Sequence, residues 1–136
     1  MSLQTATSID DLRLMAKRRV PRAFFEYCDR GSYAEETLEA NRADLKALKL
    51  RQRVMVDVSN RSTATTIIGQ PAALPLALAP TGLTGMQYAD GEILAARAAE
   101  KAGIPFCLST MSICSIEDVA AGTSKPFWFQ LYVMKD

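Results

Sequence analysis

The sequence predicts an α/β protein organised around a parallel sheet, on two observations. Three short apolar segments, Leu76-Ala77-Leu78-Ala79-Pro80, Ile104-Pro105-Phe106-Cys107-Leu108 and Phe127-Trp128-Phe129-Gln130-Leu131-Tyr132-Val133, have the length and composition of buried strands. Helical stretches separate them, so the order is β-α-β-α-β, the signature of parallel pairing. A parallel sheet must be covered on both faces or closed into a barrel, and three strands do neither. With the third segment close to Asp136 and no histidine in the sequence, the chain is expected to be the opening portion of a larger α/β protein.

The N-terminal stretch reads as helices. Ser8-Ile9-Asp10-Asp11 offers an N-cap with acidic residues in the first turn, and Leu12, Met15 and Ala16 follow at helical spacing. Lys17-Arg18-Arg19, the densest basic cluster, suits the C-terminus of that helix, where cations complement the macrodipole. Pro21 can open a second short helix through Ala23-Phe24-Phe25-Glu26-Tyr27-Cys28, with Gly31 as its stop. A third helix fits residues 34–48, with Leu38, Leu45 and Leu48 on one face. These helices are expected to cover one end of the sheet.

Residues 50–58 alternate in part and suggest a strand or extended segment. Thr65-Thr66-Ile67-Ile68-Gly69 followed by Leu74-Pro75-Leu76 reads as a small hairpin leading into the first core strand. Residues 90–102 form a strong helix stopped by Gly103, and Ile104 begins the next strand. Ser112 or Ser115 then caps a helix with Glu117 and Asp118 in its first turn. No internal repeat, low-complexity tract or linker interrupts the chain.

Composition narrows the function classes. At 136 residues, 49% hydrophobic and 23% charged, the chain matches one soluble globular domain. A net charge of +1 from 16 basic and 15 acidic residues, spread along the chain, gives no electrostatic case for nucleic acid. Cys28, Cys107 and Cys114 lack CxxC spacing and have no histidine beside them, which points to reduced thiols of a cytosolic type and away from zinc. Nothing at the N-terminus resembles a signal peptide. The longest apolar run, residues 72–80, is about half of the ~20 residues that span a bilayer.

In βα barrels, chemistry sits at the C-terminal ends of the strands. Those positions here are Pro80-Thr81-Gly82, Ser109-Thr110-Met111, and Gln130 with Tyr132. They are small, hydroxylic or amide-bearing, without a strong acid or base. Such a set suits a planar polar cofactor: close backbone approach at Gly82, a hydroxyl at Ser109, a two-way hydrogen-bonding amide at Gln130. It does not suit a metal, which wants carboxylates or imidazoles. A Thr-Gly pair after a strand also serves as a plain turn, and a Ser-Thr pair also caps a following helix. Gly82-Leu83-Thr84-Gly85 lacks the GxGxxG and GxxxxGK[ST] patterns, which argues against a dinucleotide or P-loop site.

The residues themselves carry a resemblance. Phe25-Glu26-Tyr27 through Gly31, Thr37-Leu38-Glu39-Ala40-Asn41, Leu50-Arg51-Gln52-Arg53, Asp57-Val58-Ser59, Thr65-Thr66, Ala79-Pro80-Thr81-Gly82, Gly91-Glu92, Leu108-Ser109-Thr110 and Trp128-Phe129-Gln130-Leu131-Tyr132-Val133 occur in that order. Together they resemble the N-terminal part of the FMN-dependent L-2-hydroxy acid dehydrogenases and oxidases, a group that includes L-lactate dehydrogenase, glycolate oxidase and mandelate dehydrogenase. The similarity covers nearly the whole chain and is greatest to the bacterial lactate dehydrogenases.

That resemblance implies a TIM (β/α)8 barrel, of which residues 1–136 supply the N-terminal helices and the first three barrel strands of a single FMN-binding domain. It assigns Tyr27 to the substrate carboxylate, and Pro80, Thr81, Gly82, Ser109 and Gln130 to the flavin. Tyr132 falls at an active-site tyrosine near the substrate's reacting carbon and carboxylate. Phenol hydroxyls suit such places, because they bind a carboxylate or steady a developing oxyanion while neutral at pH 7. Met111 sits where glycolate-preferring members carry a tryptophan; it either shapes a roomier pocket for lactate or a bulkier acid, or packs the barrel top. Trp128 reads as core, and Cys107 and Cys114 as small apolar fillers. The resemblance further implies FMN as cofactor, a small 2-hydroxy acid as substrate, a homo-oligomer (often a tetramer in the family), and a cytoplasmic protein or one peripheral at the inner membrane.

The family's histidine base, substrate arginines, flavin-stabilising lysine and phosphate site belong to its later half. A phenol, with a reference pKa of about 10, is no base for a hydroxy acid. The chain alone is therefore expected to be inert, and to act with the C-terminal remainder of the barrel, supplied as a second chain if need be. Two other readings stand beside this one: an inactive truncated fragment or binding module, and an unrelated flavin- or phosphate-binding barrel enzyme.

Overall fold

The computed structural model describes residues 5–135. The chain divides between Arg61 and Ser62 into two compact units.

The first unit holds three helices: α1 (Ile9–Arg19), α2 (Arg22–Asp29) and α3 (Glu36–Ala47). The predicted start of α1 is present as a capping box. Ser8 Oγ accepts the Asp11 N–H at 3.2 Å, and Asp11 Oδ2 accepts the N–H groups of Ser8 at 3.1 Å and Thr7 at 2.9 Å. Lys17, Arg18 and Arg19 occupy the last turn, as expected. Pro21 stands at the N-cap of α2. Arg13 grips Asp29 with both guanidinium arms, Nη2 to Oδ2 at 2.7 Å, tying α1 to the end of α2. Among the described residues of this unit, Met15 and Phe25 are the buried hydrophobic side chains. The predicted apolar face of α3 is present, but Leu38, Leu45 and Leu48 are exposed.

Residues 50–58 form no ladder. Val54, Val56 and Val58 are exposed, Met55 takes a left-handed φ of 59°, and the Asp57 carboxylate closes a turn onto Ser59 N–H at 2.9 Å. The alternation of valines pointed to a strand; without a partner edge, valine's β preference has nothing to pack against.

The second unit opens with a hairpin, β1 (Thr65–Ile67) against β2 (Gln70–Ala72), antiparallel with Thr65 opposite Ala72. Ile68 and Gly69, both at positive φ (48° and 74°), make the two-residue turn. The return strand therefore begins at Gln70, not at the predicted Leu74-Pro75-Leu76, since a two-residue turn fixes the register at once.

The parallel sheet follows. Its first strand, expected over residues 76–80, is reduced to a bridge at Leu78 paired with Phe106. Leu78 N–H donates to Pro105 O at 2.9 Å, and Leu78 O accepts from Cys107 N–H at 3.1 Å. Prolines 75 and 80 lack N–H donors and limit the ladder to this centre. The second strand is β3 (Cys107–Ser109) and the third β4 (Trp128–Gln130), parallel with Leu108 opposite Phe129. Both are shorter than their apolar runs: Pro105 interrupts one, and Leu131 and Val133 lie exposed beyond the other.

Between the Leu78 segment and β3 come α4 (Thr84–Gln87) and α5 (Gly91–Ala102); between β3 and β4 comes α6 (Ile116–Gly122). Gly103, at φ 68°, ends α5 with its N–H on the carbonyls of Ala99 and Glu100. Ser115, the second of the two predicted caps, accepts the Asp118 N–H at 3.0 Å, while Ser112 turns its hydroxyl to Cys114 O. Ala96 and Ala99 of α5 and Val119 of α6 close over Phe106 and Leu108 of the sheet, with Ile93, Ile104 and Phe127 around them. Phe127 packs against this core, its ring 6.1 Å from that of Phe106; Trp128, expected in the core, is half-buried and lies outside that cluster, since successive strand residues point to opposite faces.

Candidate functional site

Three segments end side by side at the C-terminal edge of the parallel sheet: Pro80-Thr81-Gly82 after Leu78, Thr110-Met111 after β3, and Gln130 to Tyr132 at β4. The first two loops touch through backbone. Leu83 N–H donates to Met111 O at 2.8 Å, and Leu83 itself sits in the left-handed region at φ 56°. A Cβ on Gly82 would stand 3.0 Å from Met111 Cβ and 3.6 Å from Ser109 Oγ, and one on Gly85 would stand 2.7 Å from Ile113 Cβ. Only residues without a Cβ allow the two loops this approach. Ser109 is 4% exposed, and its Oγ accepts Met111 N–H at 3.1 Å, which leaves the hydroxyl proton to donate. Thr81 faces solvent and carries a long bond from its hydroxyl to Ala79 O, 3.4 Å.

The second and third segments are joined by Thr110. Its Oγ1 donates to the backbone carbonyl of Gln130 and accepts Tyr132 N–H at 3.2 Å, while its N–H points to Gln130 Oε1 at 3.4 Å. The Gln130 side chain is thus turned along the edge of the sheet with its NH2 group to spare. Tyr132, just past β4, is 49% exposed.

Beneath the loops lies Glu92, at the start of α5 and only 2% exposed. Its Oε1 accepts two backbone N–H groups, from Gly85 at 3.1 Å and Ile113 at 3.0 Å. Oε2 is buried without a hydrogen-bond partner. Burial pushes the Glu92 carboxyl up, but the Ile113 N–H and its companions outweigh it and hold the group below its usual range. Burial, together with the Glu92 carboxylate, pushes the Cys114 thiol up, and burial alone does the same for Cys107. Both are poor nucleophiles at neutral pH, in keeping with packing roles. A cavity of about 210 Å³ lies alongside, lined by Thr81, Thr84, Glu92 and Ser109 among others.

The structure therefore brings Pro80, Thr81, Gly82, Ser109, Gln130 and Tyr132 to one edge of one sheet. Tyr27 lies in the other unit, on α2, 66% exposed. Sequence reading gave Glu92 no place in the site, since an acid near a helix N-terminus reads as a dipole complement; it named Thr110 among the strand-end positions but not its tie to Gln130 and Tyr132, since a threonine beside Ser109 also reads as part of a cap. Among the described residues no group of His, Cys, Asp and Glu is arranged to hold a metal ion, and no helix is long and apolar enough to cross a membrane.

A donor-rich edge at the C-terminal ends of parallel strands is the arrangement by which barrel enzymes hold an organic cofactor. The chain belongs to the FMN-dependent dehydrogenase family, whose model matches residues 16–136. Over 130 residues it is 53% identical to an L-lactate dehydrogenase of Caulobacter vibrioides, covering 96% of this chain and 34% of the relative. An L-lactate dehydrogenase of Vibrio parahaemolyticus is 53% identical over 126 residues, 93% of this chain and 33% of its own length. Among solved structures, a soluble mutant of the membrane-associated (S)-mandelate dehydrogenase from Pseudomonas putida superposes with a TM-score of 0.87 at 39% identity, covering 93% of this chain and 36% of that one. The chain thus spans about a third of the length of the relatives it matches. Its fold is the N-terminal part of a TIM (β/α)8 barrel, and its family is FMN-dependent.

Proposed function

We propose that this chain supplies the N-terminal helices and first three strands of an FMN-dependent dehydrogenase that oxidises an L-2-hydroxy acid, L-lactate, to the 2-oxo acid. The observation that carries the choice of lactate is identity: 53% to L-lactate dehydrogenases against 39% to the mandelate enzyme. The donor set fits the cofactor. Ser109 keeps a proton to donate from a buried, fixed hydroxyl, Gln130 offers both an amide donor and an acceptor, and Gly82 leaves the backbone of strand one open to close approach.

In this reading Pro80, Thr81 and Gly82 lie against the flavin ring, and Ser109 and Gln130 hydrogen-bond its polar edge. When bound, FMN takes up the two electrons the hydroxy acid gives up. Tyr27 and Tyr132 bind the substrate carboxylate, and Tyr132 steadies charge that develops beside the reacting carbon. Met111, beside Gly82 and half-exposed, shapes the pocket wall. The base that takes the hydroxyl proton is not a histidine of this sequence, which has none, so turnover needs the remainder of the barrel, on a second polypeptide or a longer form of this one. The assembly is a homo-oligomer on the cytoplasmic side, either free there or peripheral at the inner membrane; the membrane-associated mandelate dehydrogenase supports the second, and the free cysteines suit a reducing compartment.

Native mass spectrometry with a visible absorbance scan tests the proposal. Expected is a complex that contains FMN and whose flavin bleaches on L-lactate. A colourless protein refutes the FMN reading. A flavoprotein that bleaches with mandelate and not with lactate refutes the substrate.

A further inference from the structure

Glu92 is unusual in being a carboxylate almost wholly removed from water whose Oε1 accepts two backbone N–H groups, one from α4 and one from the loop after β3. Gly85 lies in the short helix α4, just past Gly82, and Ile113 lies on the loop after β3 that carries Met111. A buried charge is costly to keep, and one oxygen of this one lacks a conventional partner. Such a group is retained where an apolar side chain cannot serve, and no apolar side chain can accept two N–H groups. Above it, the loops meet with no room for a Cβ at Gly85 and a tight fit at Gly82, and the Leu83 N–H to Met111 O bond closes the pair.

We infer that Glu92 is a positioning residue for the flavin site: its Oε1 clamps Gly85 and Ile113 together, and so holds Gly82 and the Ser109–Met111 turn at the mutual spacing the cofactor meets. The inference rests on the FMN reading for what the loops receive, but the clamp itself is a property of this chain. Removing the acceptor leaves two half-buried N–H groups unpaired and lets the loops part, which moves Gly82 and Ser109 relative to each other although neither is touched by the substitution.

The test compares Glu92→Gln and Glu92→Ala in the complete flavin-loaded protein and its apo form, reading FMN dissociation by flavin fluorescence and amide exchange at Gly85 and Ile113. Glu92→Gln keeps a carbonyl oxygen in the place of Oε1, and its FMN affinity is expected to stay within about threefold. Glu92→Ala is expected to weaken FMN binding by about tenfold or more, the scale of lost supporting contacts around a bound group. It should also speed exchange at Gly85 and Ile113 while leaving the β1–β2 hairpin unchanged. If Glu92→Ala does not fold, Glu92→Asp, a carboxylate one methylene short, is expected to show the same loss. A folded Ala or Asp variant that binds FMN as wild type does overturns the inference, even if its melting temperature drops. So does a Gln variant as damaged as Ala. Wild-type protein that never binds FMN overturns the FMN reading instead, and amide exchange then still decides the clamp.

Discussion

Thr110→Val isolates the bond that joins the second and third strand ends. Valine has the shape and χ1 stiffness of threonine, so the substitution opens no cavity and removes only the hydroxyl. That hydroxyl makes two bonds, donating to Gln130 O and accepting Tyr132 N–H at 3.2 Å. At a net 0.5–1.5 kcal/mol each, their loss costs about 1–3 kcal/mol. Tyr132 is half-exposed, and its N–H can regain a water, so the lower half of that range is expected, about 1.5 kcal/mol. The β3–β4 ladder and the bond from Thr110 N–H to the Gln130 side-chain Oε1 survive, so the strands stay paired while the Gln130–Tyr132 segment loosens. Denaturant unfolding of the complete protein should show the stability loss, and lactate saturation a KM raised by about tenfold, equivalent to 1.4 kcal/mol. Thr110→Ser, which keeps Oγ1, should recover most of both. The reasoning is refuted if Thr110→Val unfolds within about 0.5 kcal/mol of wild type, the scatter of neutral surface changes, or if Ser is as damaging as Val.

Three further outcomes follow from the fold and the charges. Leu108→Ala, at a fully buried position under Ser109, should lower unfolding free energy by about 3–5 kcal/mol, measured by the same denaturant titration. Gly103→Ala places a side chain at φ 68° with its Cβ 3.1 Å from Ala73 Cβ and should cost about 1–2 kcal/mol for the left-handed backbone alone; a smaller loss would mean α5 ends differently in solution. The Glu92 carboxyl is held below its ordinary value of 4.5, so its contribution is complete above that value and is lost as pH falls through the lower folded one. Asp29, held down by Arg13, and Asp11, held down by Thr7 and Ser8, act in the same direction from the surface. Acid titration of stability should therefore fall below about pH 4.5, and less steeply in Glu92→Gln; equal slopes would remove Glu92 from the account.

Much of the architecture is written locally and was legible for that reason. The Ser8 capping box, the Lys17-Arg18-Arg19 turn, the Gly103 stop and the Ser115 cap each depend on residues within about one helical turn, and each stands where the sequence places it. The parallel order of three apolar segments was legible from their alternation with helices. Their lengths were not, because hydrophobicity marks burial while a ladder also needs N–H donors. Pro75, Pro80 and Pro105 withhold those donors, so apolar runs of five residues became a bridge and a three-residue strand.

The site divides along the same line. Gly82, Ser109, Gln130 and Tyr132 could be named because strand ends are functional positions in any βα unit, and a strand end is visible in sequence. Thr110 stands at such a position too, but its joining role, and any role of Glu92, could not be read, because both lie in partners far along the chain: Glu92 reaches 21 residues to Ile113, and Thr110 reaches 20 residues to Gln130 and 22 to Tyr132. No periodicity encodes such a distance. A charged residue in the first turn of α5 and a hydroxyl beside another hydroxyl each have a sufficient local explanation, and that explanation hides the tertiary one. What betrays them is energetic. A carboxylate at 2% exposure is too costly for a dipole complement worth less than about 1 kcal/mol, and a hydroxyl bonded to two backbone groups of a neighbouring strand is not capping its own. Residues whose local role is too weak to account for their burial are those that hold neighbouring strand ends at their spacing.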